Sequence, residues 1–449
     1  MEAQRLAVSR ALPIALCALL AACIGSNGAP SPAPLDSEPS ERAFQSAVEV
    51  GAPRELSACS RLAFGDENTL FMSDRAQVLR VDWSLAAPPE SFVAVSITDT
   101  WPASVVDVVP PFAVLPRARP TSLVRLAVGA PFDADSLART PVGCVGIDVF
   151  EAPAWRGQWR RALDSGAGRS IAASFDLGCD RDGDGRLDLV VVLRPTEPEP
   201  RPELSLCWLS TATWNLVGAV PLPLDPRAEI LGVFARSDLD GDGASEVVVT
   251  VREPGARAPE LLVLSGANGA LLARLAAPFD APSDFGADVV GARGFDGEPL
   301  LLVGAPRARS DYGSGRVLAY DCRTWIPTVF AEQSDEPDFG RALVLVELEH
   351  GSTPWLVIGA PTRDPQRAGS VHWLELASGR RLASVSPHGA ASSFGRELAV
   401  CTARDVRGAE HIVLAVADEW FGSGVVARAA GQRGAVWFFR PSVAALTAR

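Results

Sequence analysis

Short motifs recur along this chain at an interval of about 55 residues, and this period constrains the fold more than any other feature. The pair Phe-Gly begins at Phe285, Phe339 and Phe394, in steps of 54 and 55 residues. The triplet Gly-Ala-Pro begins at Gly304 and Gly359, again 55 residues apart. A fixed period of this length is typical of solenoids and propellers, so we expect one large repeat domain.

Each period contains about four short apolar or β-branched runs separated by Gly, Pro or Asp. In the copy that starts at Phe285 the runs are ADVVGA, LLLVGAP, RVLAYD and TVFAE. Neither a 3.6-residue apolar period nor ten-residue helices between the strands can be seen, so helical repeats and parallel βαβ units are excluded. Four strands per period predict an all-β fold, a β-propeller of four-stranded blades.

The blade count follows from the length of the repeat region. The 395 residues from Glu55 to Arg449 divided by the period give seven blades, with boundaries near residues 101, 167, 225, 279, 335 and 389. The first blade carries no Gly-Ala-Pro, but its segments AFGDENTLFMSD and VLRVDW have the pattern of neighbouring strands.

Two acidic segments lie one blade apart; we name residues 180–188 the first loop and residues 238–246 the second loop. Each has carboxylates at positions 1, 3, 5 and 9 and glycine at position 6. The carboxylates are those of Asp180, Asp182, Asp184 and Asp188, and of Asp238, Asp240, Asp242 and Glu246. Calcium takes six to eight oxygen ligands, and the carbonyls of Arg186 and Ala244 at position 7 extend each set. We therefore predict two calcium ions.

The spacing of these loops excludes an EF-hand. That site needs a glutamate at position 12 and a helix on each side, whereas Val191 and Val249 stand at position 12 within strand-like runs. Magnesium suits such a cage of carboxylates less well than calcium. The alternative is a pair of solvated acidic turns that hold no ion.

The order Phe-Gly, Gly-Ala-Pro and Gly-x-Val, with an Asp- and Gly-rich turn between the first two, resembles the FG-GAP repeats of the integrin α-chain propeller and of similar bacterial proteins. The resemblance implies calcium loops between the innermost strand of a blade and the next strand, and ligand binding at the opposite end. Candidate ligand-binding residues in the connections at that end are Trp420, Phe421, Asp311, Tyr312 and Arg363. The alternative for Trp420 and Phe421 is that they fold back to cap blade seven.

The N-terminal region predicts export and anchoring. Residues 1–22 have the apolar run of a signal peptide, too short to span a bilayer. They end in Leu20-Ala21-Ala22-Cys23, which resembles a lipoprotein signal with Cys23 as the lipidated residue. Residues 23–53, rich in Ser and Pro, are interpreted as a flexible tether, and residues 54–449 as the propeller. We expect a lipid-anchored protein of the cell envelope, at the outer membrane or cell surface; the alternative is a plain signal peptide.

Charge and motifs narrow the function. A net charge of −13 argues against nucleic-acid binding, which needs a basic face. The four histidines have no metal or triad spacing, and no hydrolase, P-loop or dinucleotide motif is present. Six cysteines follow Cys23 without C-x-x-C pairs, so zinc is not indicated and their pairing stays open. We expect an adhesion, scaffold or ligand-binding module for a protein or glycan, not an enzyme; the alternative is a carbohydrate-active hydrolase or lyase.

Overall fold

The computed structural model describes 22 stretches of the chain. Contacts join Glu41–Arg449 into one compact unit. No helix long and apolar enough to cross a membrane occurs in the described stretches. They are residues 44–51, 61–66, 69–74, 77–83, 93–96, 112–115, 125–130, 146–151, 158–160, 169–195, 203–235, 237–278, 284–294, 296–307, 314–336, 338–347, 354–362, 367–386, 393–404, 407, 409–421 and 433–441.

The described residues form β-strands and no helix. In chain order the strands are β1 Phe44–Gly51, β2 Arg61–Asp66, β3 Thr69–Asp74, β4 Gln77–Asp82, β5 Val93–Ser96, β6 Phe112–Leu115, β7 Arg125–Ala130, β8 Gly146–Glu151, β9 Gln158–Arg160, β10 Arg169–Leu177, β11 Leu189–Pro195, β12 Ser205–Leu209, β13 Leu216–Pro221, β14 Glu229–Ala235, β15 Val247–Arg252, β16 Glu260–Leu264, β17 Leu271–Ala276, β18 Val289–Arg293, β19 Pro299–Ala305, β20 Gly315–Asp321, β21 Pro327–Gln333, β22 Ala342–Val346, β23 Trp355–Ala360, β24 Ser370–Glu375, β25 Arg381–Val385, β26 Leu398–Arg404, β27 Glu410–Phe421 and β28 Arg433–Pro441.

These strands form seven four-stranded sheets, the blades of a β-propeller. Blades one to six are β2–β5, β6–β9, β10–β13, β14–β17, β18–β21 and β22–β25, each antiparallel and in chain order. The first strand of each blade is innermost, since β10 contacts both β6 and β14, and β22 contacts both β18 and β26. A cavity of about 690 Å³ on the axis is lined by residues in or just before the first strand of every blade. The predicted propeller of seven blades is confirmed, and all six predicted boundaries fall between sheets.

Blade seven is completed by the N-terminal strand. Its sheet has the order β1-β28-β27-β26, so β1 forms the outer edge and pairs antiparallel with β28. This strand lies inside residues 23–53, so the prediction of a flexible tether reaching residue 53 was wrong over β1. Joining the two ends of the repeat region in one sheet closes the ring of blades.

The middle strands of the blades are buried on both faces. Strand β12 is buried at all five positions, and β15 is buried from Val247 to Val251. Because neighbouring blades cover both faces, these strands are continuous apolar runs and do not alternate with polar residues. The fourth strands β13, β17 and β21 are largely exposed, as expected at the outer edge.

The repeated motifs are contacts between blades. Phe339 and Phe394 are buried, and Gly340 and Gly395 that follow them have φ angles of 89° and 90°. A Cβ atom on Gly304 would stand 2.0 Å from the Gly340 carbonyl oxygen of the next blade. The Phe-Gly turns at Phe339 and Phe394 therefore pack against the Gly-Ala-Pro ends of the preceding blades, where a side chain has no room.

Candidate metal centre

Both acidic loops connect the innermost strand of a blade to its second strand. The first loop joins β10 to β11 in blade three, and the second joins β14 to β15 in blade four. Because the strands of each blade are antiparallel and in order, both loops lie at the same end of the propeller. Position 12 of each loop lies within a strand, so the exclusion of an EF-hand is confirmed.

In the first loop the position-1 carboxylate organises the backbone. Asp180 Oδ1 accepts hydrogen bonds from the backbone N–H groups of Gly183 (2.8 Å) and Asp184 (3.1 Å), and its Oδ2 accepts one from Gly185 (2.7 Å). At the other end, Asp188 Oδ2 accepts from the Arg181 N–H at 2.8 Å. The loop is thus drawn around its first and last carboxylates.

The second loop repeats this arrangement. Asp238 accepts from the backbone N–H groups of Gly241 (2.6 Å) and Gly243 (3.1 Å), and Glu246 Oε2 accepts from that of Leu239. The glycine at position 6 is left-handed in both loops, where Gly185 and Gly243 have φ angles of 84° and 87°. A residue with a Cβ atom is strained in that conformation.

The loops bring carboxylate oxygens together in two clusters, the only groups of three or more potential metal ligands found among the described residues. In the second cluster Asp238, Asp240, Asp242 and Glu246 each offer an oxygen, all within 4.8 Å of one another; in the first, Asp180, Asp182 and Asp188 do so. The structure leaves Asp184 out, which differs from the predicted set of four. The carbonyls of Arg186 and Ala244 as ligands stay a prediction.

The last carboxylate of each loop is buried, and only one of its two oxygens accepts a hydrogen bond from the described part of the chain. Asp188 and Glu246 are both fully buried, and their second oxygens, Asp188 Oδ1 and Glu246 Oε1, have no hydrogen-bond partner among the described groups. A buried carboxylate oxygen without a donor is costly unless a cation pairs with it. The unpartnered oxygens are therefore the atoms that a metal ion would satisfy.

Burial and mutual repulsion raise the pKa of these two carboxyl groups. Burial is the main cause that raises the pKa of Asp188 to about 6, and the charges of Asp182, Asp180 and Asp184 add to it. Burial likewise raises the pKa of Glu246 to about 7, with repulsion from Asp240, Asp242 and Asp238. A hydrogen bond from a backbone N–H group lowers each pKa in part. A bound cation would offset both unfavourable effects.

Neighbouring turns support the loops with groups that the sequence motif did not reveal. The Thr211 hydroxyl donates to the Leu187 carbonyl of the first loop at 2.8 Å, and the Ser265 hydroxyl donates to Asp242 Oδ2 at 3.4 Å. The Cys179 thiol donates to the Gly266 carbonyl at 3.2 Å. Burial raises the pKa of this thiol, and Asp188 and Asp242, one from each loop, add to the rise. Ser210 and Ser265 lie one period apart, which is the signal that could have indicated these turns.

Chemically, both clusters are suited to a hard divalent cation. Their donors are carboxylate oxygens, without sulfur or imidazole, and this donor type favours calcium, magnesium or manganese over zinc or copper. The equivalent turn of blade five is a short hairpin closed by the Gly294 N–H and the Glu298 carbonyl at 2.7 Å. Among the residues that the structure describes, clusters of carboxylates that could hold a metal ion therefore lie in blades three and four.

The other predicted site residues are described only in part. Trp420 and Phe421 lie in strand β27, where Phe421 pairs with Arg433, so their prediction as loop residues was wrong: the strand continues past the buried Asp418. The orientation of their side chains lies outside what the structure describes. Asp311, Tyr312, Arg363 and Cys23 also lie outside the described residues.

The comparisons with known proteins add no relative. No protein-family model matches the sequence, and no curated protein matches it either. The fold and the two carboxylate clusters are therefore the basis for assigning a function.

Proposed function

We propose that the two clusters are calcium sites, and that the protein is a calcium-stabilised propeller that binds a ligand. The observation that carries the proposal is the second cluster: four carboxylates converge within 4.8 Å, and the buried oxygen Glu246 Oε1 has no donor. Calcium accepts many carboxylate oxygens in irregular geometry, whereas magnesium keeps several of its waters. Calcium is therefore the divalent cation that best fits this donor set.

The ions have a structural role in this proposal. Each loop joins the first two strands of its blade, so a cation that draws the carboxylates together also fixes the connection between those strands. Without the ion, each loop holds four like charges close together, and one of them is fully buried. Metal binding is thereby coupled to the folding of blades three and four.

The rest of the proposal concerns location and ligand. The interlocking Phe-Gly and Gly-Ala-Pro turns support assignment to FG-GAP-like propellers, and the sequence up to Cys23 supports export and a lipid anchor in the cell envelope. The connections between second and third strands lie at the end opposite the acidic loops. We propose that this end binds a protein or a glycan, without catalysis.

Counting bound ions tests the calcium proposal. Calcium titrated calorimetrically into chelator-treated, dialysed protein should bind at two sites per chain. The double variant Asp238→Asn/Asp240→Asn and its counterpart Asp180→Asn/Asp182→Asn should each retain one site. The proposal fails if no calcium binds, or if magnesium binds both sites as tightly as calcium.

The ligand proposal needs a separate test. The purified protein is applied to immobilised envelope glycans in calcium, beside the variant Trp420→Ala/Phe421→Ala. Binding that this variant loses while its melting temperature is unchanged supports the opposite end as the ligand site. Equal binding by the variant would exclude Trp420 and Phe421 from the ligand site. Release of reducing sugar from the glycans would favour an enzyme.

A further inference from the structure

The turn between β16 and β17 connects the two acidic loops. Cys179, which directly precedes the first ligand of the first loop, lies in blade three, and its thiol donates to the Gly266 carbonyl of blade four at 3.2 Å. Cys179 is a free, buried thiol. The two residues are 87 positions apart in sequence, so this bond links one blade to the next.

The same turn is in direct contact with the second loop. A Cβ atom on Gly266 would stand 2.0 Å from the Ser245 carbonyl oxygen, so the two backbones are in direct contact. The hydroxyl of Ser265, the preceding residue, donates to Asp242 Oδ2 at 3.4 Å. Ser245 is adjacent in sequence to Glu246, a member of the cluster. The position of the turn therefore depends on the position of the second loop.

From this chain of contacts, we propose that the two calcium sites bind cooperatively, coupled through the hydrogen bond from Cys179 to Gly266. The inference rests on the proposed calcium binding. An ion in the second loop fixes the positions of Asp242 and Glu246, and through them the position of the turn between β16 and β17. Because this turn accepts the hydrogen bond from Cys179, the ion also restrains Cys179 and the adjoining Asp180. Coupling between binding sites is reciprocal, so an ion in the first loop favours binding in the second equally.

Electrostatic repulsion between the two ions opposes cooperative binding. The contribution of the hydrogen bond from Cys179 to Gly266 can therefore be separated from the electrostatic contribution. A cation in one loop reduces the negative potential at the other, and this weakens the second binding event. Salt screens interactions between exposed charges beyond a Debye length of about 8 Å at physiological ionic strength. Hydrogen bonds and backbone contact between the loops are affected much less, so the cooperativity is measured at that ionic strength.

The test is a thermodynamic cycle measured by calcium titration calorimetry on the full chain. The product of the two binding constants of the unmodified protein is divided by the product of the constants of the two single-site variants, Asp180→Asn/Asp182→Asn and Asp238→Asn/Asp240→Asn. We expect a coupling factor of about fivefold or more. In a Cys179→Ala background the factor should fall to one or below.

Two further variants control for the thiol itself. Cys179→Ser keeps a hydroxyl donor toward Gly266 and should retain the coupling. Cys207→Ala removes another buried sulfur of blade three, which lies 3.8 Å from the Ser205 carbonyl of its own strand, and should also retain it. Circular dichroism verifies that each variant is folded.

The outcomes are distinct. Two calcium ions that bind with a coupling factor of one in the unmodified protein overturn the cooperativity and leave the calcium proposal intact. A factor that persists in Cys179→Ala overturns the route through this bond. Failure of both single-site variants and of the unmodified protein to bind calcium overturns the proposed function and, with it, the inference.

Discussion

In the second loop four carboxylates converge, whereas in the first loop three do, although both sequences place acidic residues at the same four positions. The two loops share most of their backbone hydrogen bonds, so the motif determines the shape of the turn. They differ at position 5, where Asp242 accepts a hydrogen bond from the Ser265 hydroxyl of the neighbouring turn. In blade three the corresponding Ser210 hydroxyl accepts from the backbone N–H groups of Ala212 and Thr213 in its own turn. Both loops thus carry the same carboxylates, and a hydroxyl of the neighbouring turn contacts the position-5 carboxylate in the loop where four of them converge.

Position 2 shows a second difference between the loops. Leu239 is buried in the apolar core shared by blades four and five. Arg181 instead places its guanidinium 4.1 Å from the ring centre of Trp208 in the same blade. The second loop is thus attached by apolar burial and the first by a cation–π contact, which is the weaker attachment.

The largest expected effect comes from the attachment of the second loop. Leu239→Ala leaves a cavity in the core and should lower the free energy of unfolding by about 2–5 kcal/mol. The matching change in the first loop, Arg181→Ala, should lower it by about 1 kcal/mol. Urea unfolding in a chelator measures both without any contribution from calcium. Equal losses in the two variants would contradict the difference in attachment.

The next effect concerns the buried acid of the second loop. Glu246→Gln removes a ligand charge and, in the absence of calcium, also removes repulsion within the cluster. We expect the melting temperature to fall below that of the unmodified protein in calcium and to rise above it in chelator. The lost stabilisation corresponds to about 2.7 kcal/mol when calcium is a hundredfold above the dissociation constant of the site.

The control for this change is Glu347→Gln. Glu347 is an exposed acid that follows β22, at the same end of blade six. The substitution Glu347→Gln should leave the melting temperature unchanged both in calcium and in chelator. If Glu246→Gln keeps the full response to calcium, the second cluster is not a calcium site.

A smaller effect separates the two loops at position 5. Asp242→Asn should weaken calcium binding in the second loop about tenfold, a change of about 1.4 kcal/mol, because it removes one converging charge. Asp184→Asn should change binding in the first loop by less than about twofold, since this carboxylate lies outside the cluster. Calorimetric titration of each variant measures the affinities. Equal losses would show that Asp184 joins the site when an ion binds.

The sequence was sufficient for the parts of the fold that repeat. The period predicted seven blades and their boundaries, because each blade carries the same pattern of apolar runs and turns. It did not predict that β1 closes blade seven, since this strand lies apart from the repeats, next to a Ser- and Pro-rich segment. Pairing with β28 is a contact between the two ends of the chain, which local pattern does not indicate.

The acidic loops could be located from the sequence, but the side chains that hold them in place from neighbouring turns could not. The spacing of Asp180 and Asp238 with the following carboxylates indicated where each loop begins and ends. The roles of Cys179 and Ser265 depend on turns that the fold brings beside the loops from other strands. The glycines after Trp420 and Phe421 predicted a loop, yet β27 extends through both residues.

Thermal melting with and without a chelator tests most directly the central claim, that calcium in the two loops stabilises the propeller. Removing calcium should lower the melting temperature by at least about 5 °C, and adding calcium, but not the same concentration of magnesium, should restore it. Identical melting curves in calcium and in chelator would disprove this claim.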